Sequence, residues 1–129
     1  MSVFKDTEQM YEILGGLWNQ LIEHPENGKK FKASGLTIKY NLSEPGGTLW
    51  VTPDGVLTGN QELKPDIEMT LSGDTAHKFW LKELSLPAAL AKKLIVSKGS
   101  MAKVMKLLPL LKPLHEMYPA VCDKWGLPK

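Results

Sequence analysis

The chain has 129 residues, 43% of them apolar and 23% charged, a size and balance that predict one soluble domain with a single core. Sixteen lysines against fourteen acids leave a formal charge of only +2, and there is no arginine. Without that forked donor, sequence-reading DNA recognition and bidentate phosphate clamping are excluded as leading functions, and no nucleic-acid partner is expected. The single cysteine, Cys122, excludes an internal disulfide and a cysteine-rich zinc site.

In chain order, the first predicted element is an amphipathic helix. Met10, Ile13, Leu14, Leu17, Trp18, Leu21 and Ile22 follow the i, i+3, i+4, i+7 spacing of one buried face. Asp6 is placed to cap it, Glu8 falls in its first turn, and His24-Pro25 ends it. Gly15 and Gly16 lie off the stripe and suggest a close approach by another element.

The period then changes to two. Leu36, Ile38, Tyr40 and Leu42 alternate with polar residues as a half-buried strand. Turns at Glu44-Pro45-Gly46-Gly47 and Pro53-Asp54-Gly55 lead into strands Thr48–Thr52 and Val56–Gly59, which together make an antiparallel meander. Ile67, Met69 and Leu71 mark a fourth strand.

Helical signals return at Asp74, read as the cap of a helix carrying Ala76, Phe79 and Trp80. A short helix over Leu84–Leu90, with Pro87 in its first turn, and a fifth strand over Leu94–Ser97 follow. Ser100 opens a helix with Met101, Val104, Met105, Leu108 and Leu111 on one side. Pro109 and Pro113 are expected to limit its far end, and Pro113–Lys124 to hold one last helix. Strands first and helices later, behind a leading helix, define an α+β fold.

Catalytic constellations are not found. His24, His77 and His115 share no metal-ligand spacing, and His77 reads as exposed or as a satisfied core histidine. Gly46-Gly47 reads as a hairpin turn, and no serine sits in a nucleophile elbow. Asp66 and Glu68 lie two apart on a strand face, as a carboxylate pair or as ordinary surface acids. The chain reads as a non-enzyme without cofactor or metal.

Charge and apolar placement are more informative. Residues 1–77 carry six lysines and eleven acids, net −5, whereas residues 78–129 carry ten lysines and three acids, net +7. Between Leu84 and His115 there is no acid. Two readings fit: a solvated lysine face, or a basic rim for an anionic membrane surface or a phosphorylated ligand. Likewise the Met101-Met105-Leu108 face and the Phe79-Trp80 pair are either core or the wall of an apolar cavity, six methionines being well suited to the latter. With no secretory leader and no apolar run near 20 residues, a cytoplasmic location is expected.

The stretches PDIEMTLSGDTAHKFW and LIVSKGSMAKVMKLLPLL resemble the sterol carrier protein type 2 domain, the nonspecific lipid-transfer family. The matching positions are Pro65, Asp66, Ile67, Met69, Leu71, Ser72, Asp74, Gly99, Lys106 and Leu107. The family usually has a glycine just before the fifth strand, where this chain reads Ala91-Lys92-Lys93. The resemblance implies one lipid-binding domain over residues 1–129, with a five-stranded, mostly antiparallel sheet covered on one side by helices and enclosing an apolar tunnel. It also implies non-catalytic binding of a fatty acid, fatty acyl-CoA, phospholipid or, less expected, a sterol, or service as an accessory module with a closed pocket. On that basis Phe79, Trp80, Leu84, Met101, Val104, Met105 and Leu108 are expected to line the tunnel above a floor of Met69 and Leu71.

Overall fold

A computed structural model describes residues 3–129. Helix α1 (Thr7–Glu23) starts where the Asp6 carboxylate accepts from the Gln9 N–H at 2.8 Å, and every residue of the expected apolar stripe is buried. Val56 lies against Gly15, but nothing approaches Gly16, so only one of the two glycines sits at a contact.

Helix α2 (Pro25–Ser34) is absent from the sequence reading. The His24-Pro25 pair that stops α1 also starts α2. Pro25 takes a first-turn position, and the His24 Nδ1 accepts from the N–H groups of Glu26 and Asn27 at 3.3 and 3.2 Å. The two helices touch at Gly28, where an added Cβ would lie 2.0 Å from the Ile22 carbonyl oxygen.

Strands β1 (Ile38–Ser43), β2 (Gly47–Thr52) and β3 (Gly55–Thr58) form the expected meander. Strand β4 (Ile67–Ser72) then returns beside β1 and runs parallel to it, and β5 (Val96–Gly99) closes the far edge antiparallel to β4. The order is β3-β2-β1-β4-β5, a mixed sheet with three antiparallel pairings and one parallel. Its register sets Tyr40 between Leu49 and Met69, so inward positions of three strands form one apolar row.

Asp66 fixes the start of the parallel pair. Its N–H donates to the Thr37 carbonyl at 2.8 Å while its carboxylate accepts from the Thr37 N–H at 2.8 Å and from Lys103 Nζ at 3.0 Å. These bonds hold its carboxyl below the usual value, the Thr37 N–H contributing most and Lys103 next.

Helix α3 (Gly73–Trp80) is capped by Ser72, whose Oγ accepts from the Thr75 N–H, and not by Asp74. Asp74 already lies in the first turn, where its carboxylate accepts from the Val3 N–H at 2.7 Å. Helix α4 (Leu86–Ala91) is shorter than expected because Ser85 is its cap.

The largest departure is α5, one helix over Met101–Trp125 instead of two. Pro109, Pro113 and Pro119 all lie inside it, each removing one helical N–H, yet none falls on the buried face. That face is Val104, Leu107, Leu111, Leu114, Tyr118 and Cys122. Burying it outweighs the lost bonds, since each large apolar side chain contributes about 1.5–3 kcal/mol.

Candidate functional site

The inner face of the sheet and the helices enclose an apolar cavity. Tyr40 and Leu42 from β1, Leu49 from β2, and Met69 and Leu71 from β4 form its floor. Leu14 and Trp18 of α1 and Ala76, Phe79 and Trp80 of α3 form the roof, and Leu86, Ile95 and Leu111 close the side. About 20 Å³ is open to the centre of a water-sized sphere, little more than one water needs, so the walls are nearly in contact.

The aromatic part of this wall is interlocked. Trp18 meets Trp80 edge-on at 5.9 Å and Tyr40 at 6.3 Å, and Phe79 meets Trp80 at 4.9 Å. Burial alone pushes the Tyr40 phenol well above its ordinary value, so it stays neutral beside the cavity.

A second depression of about 280 Å³ lies outside, between the α3–α4 turn and α5. Leu84, Pro87 and Leu108 supply apolar walls, and Lys82, Ser85 and His115 supply polar ones. Phe79, Leu86 and Leu111 line both this groove and the cavity, so the partition between them is one layer of side chains. His115 packs on the rings of Phe79 and Trp80 at 5.0 and 5.3 Å, and burial, aided by the nearby Lys82, pushes its pKa below the ordinary histidine value.

Of the nine residues singled out from the sequence, Met69, Leu71, Phe79 and Trp80 meet at the cavity. Leu84 and Leu108 line the groove. Val104 is buried elsewhere in the core, and Met101 and Met105 are 63% and 58% exposed. The residues not foreseen include Trp18, Tyr40, Leu49, Ala76, Leu86, Ile95 and Leu111. The strand alternation already carried the signal for Tyr40 and Leu49, since inward positions of neighbouring strands must share one face.

The polar groups weighed earlier are engaged in holding the fold. The His77 ring is buried, with Nδ1 2.8 Å from the Tyr118 hydroxyl, and burial lowers its pKa. Glu68 accepts from Asn41 at 2.6 Å and pairs with Lys39 at 3.9 Å. Among the described residues no cluster of three His, Cys, Asp or Glu is arranged to hold a metal ion, and no helix is long and apolar enough to cross a membrane.

The sequence profile of the SCP-2 sterol transfer family matches residues 18–112, and the chain belongs to that family. Solved structures share the fold at low identity. Sterol carrier protein domain 2 of Helicoverpa armigera superposes with a TM-score of 0.70 at 16% identity, over 83% of this chain and 89% of that one. Apo sterol carrier protein 2 of Yarrowia lipolytica gives 0.63 at 16%, over 83% and 90%. Palmitated SCP2L2 of Aedes aegypti gives 0.61 at 18%, over 78% and 92%. No curated protein sequence matches the chain.

Proposed function

We propose that the chain is a single cytoplasmic domain that binds one lipid acyl chain without chemical conversion and delivers it between membranes or to a separate lipid-handling enzyme. The observation that carries this reading is the shared wall. An enclosed apolar cavity and an open groove are separated only by Phe79, Leu86 and Leu111, so small displacements of these side chains join the two into a tunnel. A linear chain can thread between parted side chains, whereas a fused sterol ring needs the walls to separate together. A fatty acid, fatty acyl-CoA or phospholipid therefore fits better than a sterol. The Aedes aegypti relative solved in palmitated form agrees with that choice.

Each buried CH₂ contributes about 0.8 kcal/mol, so a dozen methylenes supply about 10 kcal/mol. Ordering the chain and opening packed walls offset part of this. The anionic end would remain at the groove, where Lys82, Ser85 and His115 offer a positive charge and hydrogen bonds.

A second reading, an accessory module with a permanently closed pocket, is favoured by the small cavity volume. Native mass spectrometry of freshly purified protein, followed by lipid extraction and titration with a fluorescent fatty acid, separates the two. A co-purifying mass in the fatty-acid, acyl-CoA or phospholipid range, or stoichiometric uptake, supports the carrier. An empty protein that takes up no fatty acid supports the closed module.

A further inference from the structure

The cavity wall carries polar groups that the fold itself does not use. The chain has three tyrosines and four tryptophans. Away from the cavity their polar atoms are engaged. The Tyr11 hydroxyl accepts from the Thr48 N–H at 2.9 Å, Trp50 Nε1 donates to the Gly59 carbonyl at 2.9 Å, and the Tyr118 hydroxyl lies 2.8 Å from His77 Nδ1. Trp125 is exposed. The remaining three, Trp18, Tyr40 and Trp80, are 1%, 8% and 3% exposed and all line the cavity. None of their side chains hydrogen-bonds a described residue, although buried phenols and indoles ordinarily find a partner.

Tyr40 is the residue placed to use the space. It occupies an inward position on the interior strand β1, between Leu49 and Met69. No described polar side-chain atom is both sealed from water and without a partner. The Tyr40 hydroxyl must therefore touch space that a water molecule can enter, and the cavity is that space. Trp18 meets both Tyr40 and Trp80, so the two indole N–H groups belong to the same connected wall. An indole N–H only donates, and a phenol hydroxyl can donate as well. The other lining side chains are hydrocarbon or, at Met69, thioether, so the wall offers donors without a strong acceptor to match them. None of them is charged, and an anion drawn into the cavity would stay uncompensated. An unmodified acyl chain would leave the hydroxyl unpaired.

We propose that the cavity selects acyl chains bearing an uncharged oxygen, a hydroxyl or keto group, part-way along the chain, and that this oxygen accepts a hydrogen bond from the Tyr40 hydroxyl. Such selection rests on the lipid-carrier reading and narrows its ligand class. The anionic end stays at the groove beside Lys82, Ser85 and His115, and the oxygen lies beyond the partition of Phe79, Leu86 and Leu111. In an apolar cavity without a partner, an added hydroxyl weakens binding, because it must give up its hydrogen bonds to water. Opposite Tyr40 the sign reverses, and only for chain positions that reach it.

The test is competition against a fluorescent fatty acid by stearate and by monohydroxystearates with the hydroxyl at successive chain positions. For the parent protein one position, or two neighbouring ones, should bind about tenfold tighter than stearate, the effect of one hydrogen bond, and the others more weakly. Tyr40→Phe keeps the ring and breaks no hydrogen bond within the fold. It should keep the parental Tm and stearate affinity, while the favoured isomer falls below stearate. Tyr118→Phe removes a hydroxyl that has a partner, so it should lower Tm and leave the preference intact. Hydroxystearates weaker than stearate at every position, or a preference that survives Tyr40→Phe, overturns the proposal and leaves the carrier reading standing. A loss of Tm in Tyr40→Phe as large as in Tyr118→Phe shows that the hydroxyl serves the fold and also overturns it. No uptake of the dye or of any fatty acid, stearate included, overturns both.

Discussion

Leu86 tests the partition between cavity and groove directly. It is 4% exposed, lines both spaces, and sits in the first turn of a six-residue helix. Leu86→Ala removes three carbons, a transfer loss of about 2.4 kcal/mol, and the space left behind adds to it where the walls do not relax. Because the space opens onto the groove and water can enter it, the total should stay near the lower end, about 2.5–3 kcal/mol. In a chain of this length that lowers Tm by about 10 °C. The same substitution at Leu107, fully buried on α5 but lining neither space, supplies a control of similar chemical cost. Stopped-flow mixing with a fluorescent fatty acid should show association and release several-fold faster for Leu86→Ala and unchanged for Leu107→Ala. If the two variants lose comparable stability but both keep parental rates, the partition is not the route into the cavity.

The crossing of α1 and α2 predicts that Gly28→Ala is severe: the new methyl would meet backbone at 2.0 Å, so the helices must separate, at a cost of about 3 kcal/mol or more read by urea denaturation. A change below 1 kcal/mol would show that the crossing is loose. Stability should also depend on pH on the acid side. His77 and His115 have folded pKa values below the ordinary 6.5, so the unfolded chain binds protons that the folded chain refuses. The contribution is complete above about 6.5 and is lost as pH falls below it. Replacing both histidines by glutamine should flatten the denaturation midpoint between pH 7.5 and 5, and an unaltered slope would contradict the burial argument. Asp66 acts lower, its depressed carboxyl contributing above the usual carboxylate range and losing that contribution as pH falls through its folded value. Asp66→Asn should therefore diminish the further loss of stability seen in acid titration.

Which parts of this molecule were legible follows from how local the signal was. Helix α1 was readable because its cap, stripe and stop are all contiguous, and the meander because its turns are short and rich in proline and glycine. The parallel pairing of β1 with β4 was not readable from periodicity, since it depends on a chain return that alternation does not encode. Helix α2 was hidden because its cap is a histidine, an uncommon cap, and because its single buried large side chain, Phe31, makes no stripe. For α5 Pro109 and Pro113 suggested a break, and the phase was then judged from the first turns alone. With Leu114, Tyr118 and Cys122 included, the buried stripe rotates from Met101 and Met105 towards Leu107. For the cavity, methionine was favoured for its adaptability, whereas Met69 is the one methionine among the described residues that lines the space.

That distribution of side chains says which wall moves. Trp18, Tyr40, Phe79 and Trp80 are stiff rings linked by ring contacts and set on well-anchored elements: α1 buries eight of its residues, β1 is an interior strand, and α3 buries five of its eight residues. The opposite wall is aliphatic, and two of its three members belong to the least anchored part of the fold. Leu86 is on α4, which buries only Leu86 and Ala89, and Ile95 leads into a four-residue edge strand. Separating Leu86 and Ile95 from Leu111 breaks few backbone bonds, whereas moving an aromatic ring disturbs several neighbours at once. Opening by displacement of α4 is therefore the low-cost mode, and local opening of this kind is visible to amide hydrogen exchange. Amides of α4 and its C-cap, such as Ala89, Leu90 and the cap Lys92, should exchange at least a hundredfold faster than those of α1 at Leu17 and Leu21, and a bound fatty acid should slow the α4 set selectively. Equal protection of α4 and α1 would place the moving wall elsewhere, and slowing spread evenly over the whole chain would mean that the ligand stabilises the global fold without closing a local gate.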